Sequence, residues 1–314
     1  MPRKIINEKY RMKNYDLFGN EVKDKSNLKQ KFGIIPFSVL DTKSRDWKER
    51  KDRWLKLGIE SELGRKNDLM GFKRVYNKRK KRLLDRGTSV FDPVLCELMY
   101  CWFTKKNDVV LDPFSGGSVR GIIAHYLDRQ YLGIDIRKKQ IAANIKQGKK
   151  IVSHSVPKWL VGDSYKKLKL IDKKYDFIFT CPPYFDLEKY SNLENDLSNM
   201  EYDKFLKIYK SIIKMSCNLL KENRFACFVV GDVRDKDRTQ NWYRNFIGET
   251  KQAFIDCGLH LYNEFVLLEG IGSSAMRIEQ AWIKKKCIKT HQNILIFYKG
   301  SDVNDIRDRY SQKF

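Results

Sequence analysis

Between residues 109 and 230 the chain repeats one pattern: a short apolar run that stops at an acid or a turn, then a segment with helical spacing. Val109-Val110-Leu111 ends at Asp112, residues 131–134 end at Asp135, and Trp159-Leu160-Val161 leads to Gly162-Asp163. Residues 175–180, with Phe177, Ile178 and Phe179 in unbroken succession, end at a Pro-Pro turn. Residues 119–127 and the stretch from Asp135 to about residue 149 read as helices between these runs. Continuous apolar runs separated by helices are what a parallel sheet covered on both faces requires. Residues 225–230, 260–268 and 293–298 are further strand candidates. Residues 202–220 read as a long amphipathic helix, with Phe205, Leu206, Tyr209, Ile212, Ile213 and Leu220 near one stripe. The expectation is an α/β fold of about seven strands, beginning βαβαβ and ending in a long pair.

A chain of 314 residues makes one large domain, or one domain with an appendage, at roughly 100–200 residues per domain. A hydrophobic content of 42% supports a sizeable core and excludes wholesale disorder. No apolar run is long enough to span a bilayer, and no apolar stretch follows Met1-Pro2-Arg3-Lys4, so neither a membrane protein nor a secretory signal is expected. Seven cysteines without a CxxC pair suit reduced thiols in a cytoplasmic protein, and four scattered histidines offer no metal-ligand spacing.

Lys and Arg number 63 against 39 Asp and Glu, a net charge of +24. Residues 1–90 alone carry 26 basic and 12 acidic residues. Such an excess points to a polyanionic partner, nucleic acid first among them. The densest run is Lys78-Arg79-Lys80-Lys81-Arg82, which by itself fits a solvated loop as well as a phosphate-binding one. Upstream, Trp47, Trp54, Leu55 and Ile59 recur at helical spacing among Lys and Arg, which predicts a helix packed on the body with its basic face outward.

The chemistry sits at the ends of the strands. The first runs into Asp112-Pro113-Phe114-Ser115-Gly116-Gly117-Ser118. Glycines at a strand-to-helix turn let the backbone approach a ligand, and the helix N-terminus offers free N–H groups. This is neither a Walker A loop nor the GxGxxG dinucleotide fingerprint. Asp112 is placed to accept from an ammonium or amide, Asp135 from two ribose hydroxyls, and Asp163 from an adenine amino group. As an ordered trio they favour a ligand containing adenosine. The fourth strand ends in Thr180-Cys181-Pro182-Pro183-Tyr184. Two prolines fix carbonyls toward the crevice and Tyr184 adds an aromatic face, equipment for holding an exocyclic amine on a planar base.

Taken together, these motifs resemble the S-adenosylmethionine-dependent DNA amino-methyltransferases, the N4-cytosine and N6-adenine family. The matching segments are residues 111–117, Gly133-Ile134-Asp135, Gly162-Asp163-Ser164, Cys181 to Tyr184 and the closing stretch 291–299, over about residues 88–300. Phe91-Asp92-Pro93 is similar to the family's segment at the methionine end of the cofactor. The texture is closest to methylases of phages and mobile elements, which also carry a segment like residues 36–41 ahead of the fold.

The resemblance implies a Rossmann-like, seven-stranded mixed sheet of the class I methyltransferase type with a basic N-terminal extension. It divides the chain into an extension over 1–87, a methyltransferase domain over 88–300 and a tail over 301–314. It implies S-adenosylmethionine as cofactor, held by Phe91, Asp92, Pro93, residues 112–117, Asp135, Ile136, Gly162, Asp163 and Ser164. The implied catalytic group is Cys181, Pro182, Pro183 and Tyr184, with no metal. Double-stranded DNA is the implied partner, in a bacterial or phage-encoded modification or restriction-modification setting. Lys78 to Arg82, and Arg277, Lys284, Lys285 and Lys286 within a candidate target-recognition insertion at 270–291, are the expected DNA contacts.

Two departures stand out. Gly116-Gly117-Ser118 replaces the usual Gly-Ser-Gly, and Cys181 stands where the family has Asp, Asn or Ser. Because Thr180-Cys181 differs from a Thr-Ser pair by one sulfur, the reading leans to cytosine N4 over adenine N6. Methylation of an RNA amine and non-catalytic nucleic-acid binding remain alternatives. A nucleophilic cysteine of the carbon-5 type is disfavoured, because Cys181 precedes the proline and no Glu-Asn-Val segment is present.

Overall fold

The computed structural model describes residues 14–15, 21–22, 34–60, 91–152, 156–185, 193, 195–235 and 242–310. The basic run at 78–82 lies outside them. The chain divides into two units, Met1–Phe37 with Gln312–Phe314, and Ser38–Ser311. In the first, Asn14–Tyr15 pairs antiparallel with Glu21–Val22.

The second unit is built on a sheet of eight strands. In chain order they are β1 (Val39–Asp41), β2 (Val109–Asp112), β3 (Gln130–Asp135), β4 (Lys158–Val161), β5 (Tyr175–Thr180), β6 (Leu220–Val230), β7 (His260–Leu268) and β8 (His291–Lys299). Their order across the sheet is β1-β7-β8-β6-β5-β2-β3-β4. β8 is antiparallel to both neighbours, and all other pairings are parallel. The sheet is mixed, as expected, with one strand more than the sequence pattern predicts: β1 adds beside β7 at the edge.

β5 is buried at all six positions, because helices cover both faces of the sheet. On one face, Phe177 and Phe179 pack edge-on against Tyr100 of α2 (Pro93–Phe103), with centroids 6.3 and 5.4 Å apart. On the other, Ile178 joins Phe205, Tyr209, Ile212 and Ile213, the buried stripe of a long helix, Tyr202–Leu219. Leu220, expected on that stripe, instead opens β6.

α2 is apolar nearly all round because it is buried on both sides. Outside it lies α1 (Arg45–Leu55), the helix expected from the tryptophan spacing. Trp47 is 1% exposed and Trp54 7%, and truncating a buried ring of this size to Ala costs about 3–5 kcal/mol. Leu55, expected to pack with them, is exposed, whereas Ile59 is buried. Trp54 Nε1 donates to Glu97 at 2.8 Å, and Arg50 pairs with the same carboxylate at 2.5 Å. Asp92 starts α2 by accepting from the Val94 N–H at 2.9 Å, with Pro93 in the first turn where no N–H is needed.

The parallel strands all end at one edge, and antiparallel β8 begins there. That edge carries the candidate site. No helix among the described residues is long and apolar enough to cross a membrane.

Candidate active site

At the carboxyl edge of β2 the chain turns sharply through Ser115 and Gly116 into α3 (Val119–Tyr126). Gly116 has φ +50°, a left-handed conformation that side chains with a Cβ resist. The turn is pinned from several directions. Ser115 N–H donates to the Ile134 carbonyl at 2.9 Å, Gly116 N–H to Asp135 Oδ2 at 3.1 Å, and Asn144 Nδ2 to the Gly116 carbonyl at 2.8 Å. Gly133 on β3 allows this approach: a Cβ there would stand 2.6 Å from that of Ser115.

The turn opens into a cleft of about 630 Å³. Phe91, Asp92, Pro113, Phe114 and Ser115 line it, with Gly116 and Gly117. Asp135 and Ile136 after β3, and Gly162, Asp163 and Ser164 after β4, line it too. Cys181, Pro182, Pro183 and Tyr184, which follow β5, complete the wall. Five separate stretches of sequence therefore meet around one space.

Two predicted residues stand elsewhere. Pro93 is buried in the first turn of α2 and does not line the cleft. Asp112 is fully buried and also absent from the lining. Its Oδ2 accepts from Arg120 Nε and Tyr131 Oη, both at 2.6 Å, and its Oδ1 from Thr180 Oγ1 at 2.5 Å and the Phe114 N–H at 3.2 Å. All of these donors are protein groups, so the expected contact between Asp112 and an ammonium or amide of a ligand is not what this geometry shows.

Asp135 holds the expected place, but it is already engaged. Oδ1 accepts from Arg137 N–H at 2.8 Å and Arg137 Nε at 3.2 Å. Asp163 caps the short helix after it through Tyr165 N–H at 2.9 Å. Tyr184 Oη hydrogen bonds to the Val229 carbonyl at 3.2 Å and to Gln292 Oε1 at 3.4 Å. Cys181 Sγ lies 3.5 Å from that hydroxyl.

The sequence reading did not single out several lining residues: Arg120, Thr42, Lys51, Glu269 and Gln292. Arg120 lies over the Phe91 ring at 4.4 Å and donates to the carbonyls of Phe114 and Ser115 at 2.8 and 3.0 Å. Burial alone would lower its pKa, but the Asp112 carboxylate more than offsets this and holds it above the ordinary value. Lys51 pairs with Asp92 at 2.9 Å. Glu269 is pushed up by burial and then by the nearby charge of Asp92. No short motif marks these residues; only the folded strand ends assemble them.

Of the predicted DNA contacts, Arg277, Lys284, Lys285 and Lys286 lie in the segment joining β7 to β8. It holds a 3-10 turn, Gly272–Arg277, and a helix, Ile278–Ile283. Gly270 and Gln292, at its two ends, line the cleft. Trp282 and Ile283 are exposed, and Lys285 Nζ sits 4.3 Å from the Trp282 ring centroid. Arg234 and Lys284 are close enough to Lys286 to add, after desolvation, to the lowering of its pKa.

The cleft holds an unsatisfied polar group. Ser115 Oγ, in the glycine turn and lining the space, is buried without a hydrogen-bond partner. With the carboxylates of Asp135 and Asp163 on successive strand ends, it gives the cleft hydrogen-bonding groups of the kind a nucleoside-bearing cofactor needs. Without edge strand β1, the sheet reads β4-β3-β2-β5-β6-β8-β7 with β8 alone reversed. That order, with the glycine turn after β2, defines the fold of the class I, S-adenosylmethionine-dependent methyltransferases.

Residues 6–146 match the DNA methylase family of N6 and N4 type, and over that stretch the chain is similar to it. The matched stretch holds Asp92, the glycine turn and Asp135, and it stops before Cys181. No curated protein matches the chain. Among solved structures, TrmN from Thermus thermophilus is similar at 15% identity, over 67% of this chain and 49% of that one, with a TM-score of 0.47. This chain thus spans about half the length of TrmN. A methyltransferase from Pyrococcus furiosus is 13% identical over 74% of this chain and 91% of that one, at a TM-score of 0.43. Magnesium protoporphyrin IX methyltransferase (ChlM) from Synechocystis PCC 6803 with bound SAM is 10% identical over 66% and 79%, at 0.41.

Proposed function

We propose that the protein is a DNA methyltransferase that moves a methyl group from S-adenosylmethionine to the exocyclic amino group of a base swung out of the duplex, with cytosine N4 favoured over adenine N6. The observation that carries this is that Cys181 to Tyr184 and the glycine turn at Gly116-Gly117 open into one cleft.

S-adenosylmethionine supplies a methyl group on a positively charged sulfur that is already a good leaving group. The chain's own residues bind and orient. The glycine turn at Gly116-Gly117 and the orphaned Ser115 hydroxyl would hold the cofactor, with Asp135 accepting from its ribose and Asp163 from its adenine. The Pro182 carbonyl and Cys181 Sγ accept the hydrogens of the target amine, which draws the nitrogen lone pair out of conjugation and aims it along the line of attack. Tyr184, its hydroxyl tied to β6 and β8, offers a fixed aromatic face to the base.

A base inside a duplex cannot reach this cleft, so it must flip at a cost of about a few kcal/mol. Phosphate contacts offset that cost. We assign them to Arg277 and Lys284 to Lys286 in the segment joining β7 to β8, and to Lys78 to Arg82. The inferred setting is DNA modification in a bacterial or phage-encoded system.

The test is to incubate the full-length protein with methyl-labelled S-adenosylmethionine and either unmethylated duplex DNA or total RNA, and to identify the labelled nucleoside by mass spectrometry. N4-methylcytosine from DNA is expected. N6-methyladenine would reassign the base, and label confined to RNA, or none at all, would overturn the proposal.

A further inference from the structure

Gly231 follows β6 directly at the carboxyl edge. A Cβ built on it would meet only Tyr184 Cε2 at 3.7 Å and Lys289 Nζ at 3.8 Å. A side chain there would thus come into van der Waals contact with the Tyr184 ring and with an ammonium group. Lys289 enters from the loop leading into antiparallel β8, the strand whose start faces the catalytic loop. The ammonium is half-buried, and its hydrogen bond to Asn293 Oδ1 is long, at 3.4 Å. Burial lowers its pKa, and the charge of Asp232 opposes that only in part. A half-buried amine with three donors and one long hydrogen bond still has donors to satisfy.

We propose that Lys289 reads the target base, donating a hydrogen bond to the 2-carbonyl of the extruded cytosine while Tyr184 covers its ring. The inference rests on the amino-methyltransferase reading and deepens it. Cytosine carries its amine and its 2-carbonyl on the same edge, with one ring nitrogen between them. Cys181 Sγ lies 3.5 Å from the Tyr184 hydroxyl, and Lys289 Nζ and Cε2 of the same ring both come within 4 Å of a Cβ built on Gly231. An acceptor and a donor near one aromatic side chain are what recognition of that edge would need. Adenine presents no carbonyl, so an adenine in this space would leave the ammonium unsatisfied. A site built around a hydrogen bond rejects analogues that lack the partner more strongly than it rejects a change in size.

The same ammonium could instead grip the phosphate of the flipped nucleotide, and the experiment separates the two sources of oxygen. Full-length wild type, Lys289→Met and Lys289→Arg are compared on duplexes bearing the methylated context. The target is either cytosine or an analogue that keeps the amine and lacks the 2-carbonyl. Wild type should prefer cytosine in kcat/KM by about 10- to 100-fold. Lys289→Met should erase that preference while leaving the rate on the analogue and the salt dependence of DNA binding unchanged. Lys289→Arg, which keeps a donor, should retain part of the preference.

Calorimetric binding of S-adenosylmethionine reports that each variant is folded. If Lys289→Met fails that check, the arginine variant and the wild-type substrate pair decide. Equal loss on both substrates with a shallower salt slope would assign Lys289 to phosphate and overturn the proposal. So would a wild type indifferent to the carbonyl, or methylation at adenine. Absence of methyl transfer to any DNA by the wild type would instead defeat the amino-methyltransferase reading beneath it.

Discussion

Arg120 Nε lies 2.6 Å from Asp112 Oδ2, with the two side chains 4% and 0% exposed. The pair sits beneath the glycine turn, and Arg120 reaches past it to two carbonyls of that turn. Asp112 therefore braces the turn through Arg120 and the backbone that Arg120 holds.

Removing one partner of a buried pair strands the other charge. Asp112→Asn should cost about 3–5 kcal/mol in urea denaturation, and adding Arg120→Met should recover a substantial part of it. A change of less than about 1 kcal/mol in the single variant would mean that the site relaxes or that water replaces the carboxylate.

Asp135 should bind the cofactor ribose. Asp135→Ala is expected to weaken S-adenosylmethionine by about 1.5–3 kcal/mol, the range for charge-assisted hydrogen bonds. Because Asp135 also accepts from Gly116 N–H, some of this loss will come from a loosened turn. Unchanged calorimetric affinity would remove Asp135 from the cofactor site.

The loop after β5 separates two mechanisms. If Cys181 accepts a hydrogen bond, Cys181→Ser keeps activity, since a hydroxyl is the stronger acceptor. If Cys181 attacks the base as a thiolate, the same change abolishes turnover, and a fluorinated pyrimidine traps a covalent adduct. Tyr184→Ala should lose about 1–3 kcal/mol of base stacking with cofactor affinity intact, whereas Tyr184→Phe keeps the ring and most of the activity.

Neutralising Lys284, Lys285 and Lys286 together should weaken binding to all DNA sequences alike and flatten the salt dependence. If Trp282 also meets DNA, Trp282→Ala should weaken binding with little change in that slope, because an uncharged ring releases no counterions. A salt slope untouched by the triple substitution would mark the lysines as a solvated surface.

Asp176 anchors the opposite edge of the sheet, accepting from Lys221 Nζ at 2.8 Å, Arg224 Nε at 3.1 Å and Val109 N–H at 3.1 Å. Burial alone would raise its pKa, but these donors reverse that and hold it below the ordinary value of 3.8. Its stabilisation is therefore complete above the ordinary value and is lost as pH falls through the lowered, folded-state one. Asp176→Asn should be less stable at neutral pH and should show a shallower loss of stability below about pH 4. Parallel acid limbs for the two proteins would contradict this.

Much of the sheet was legible because its strands announce themselves. β5 is apolar at consecutive positions since both its faces are covered, and Asp112, Asp135 and Asp163 mark strand ends by their charge. β1 was not legible: three residues with one side chain inward carry too little periodicity to separate them from a loop. The helix Phe246–Ile255 went unannounced, its pattern blurred by Gly248 and scattered polar residues. The setting of Asp112 was not legible, because sequence shows an acid beside a turn but not Arg120, Tyr131 and Thr180 converging on it. The 270–291 segment reads as basic and polar, yet it presents Met276, Ile278, Trp282 and Ile283 to solvent. Only the fold shows which side chains it leaves uncovered.

The pairing of β1 with β7 sets a timetable for synthesis. Val39 stands opposite Val266, and Thr42 Oγ1 donates to Leu268 O at 2.6 Å across 226 residues of chain. At about 5–20 residues per second, the ribosome needs roughly 10–45 s to make that intervening stretch. Until then the backbone of β1 has no strand to join, and Thr42, at the rim of the cleft, has no carbonyl to hold. A contact of such sequence separation forms late, after its loop-closure cost is met. The cleft is thus finished last at the corner that residues 39–42 supply, and a nascent chain stopped before β7 would carry its glycine turn without Thr42 held at its rim.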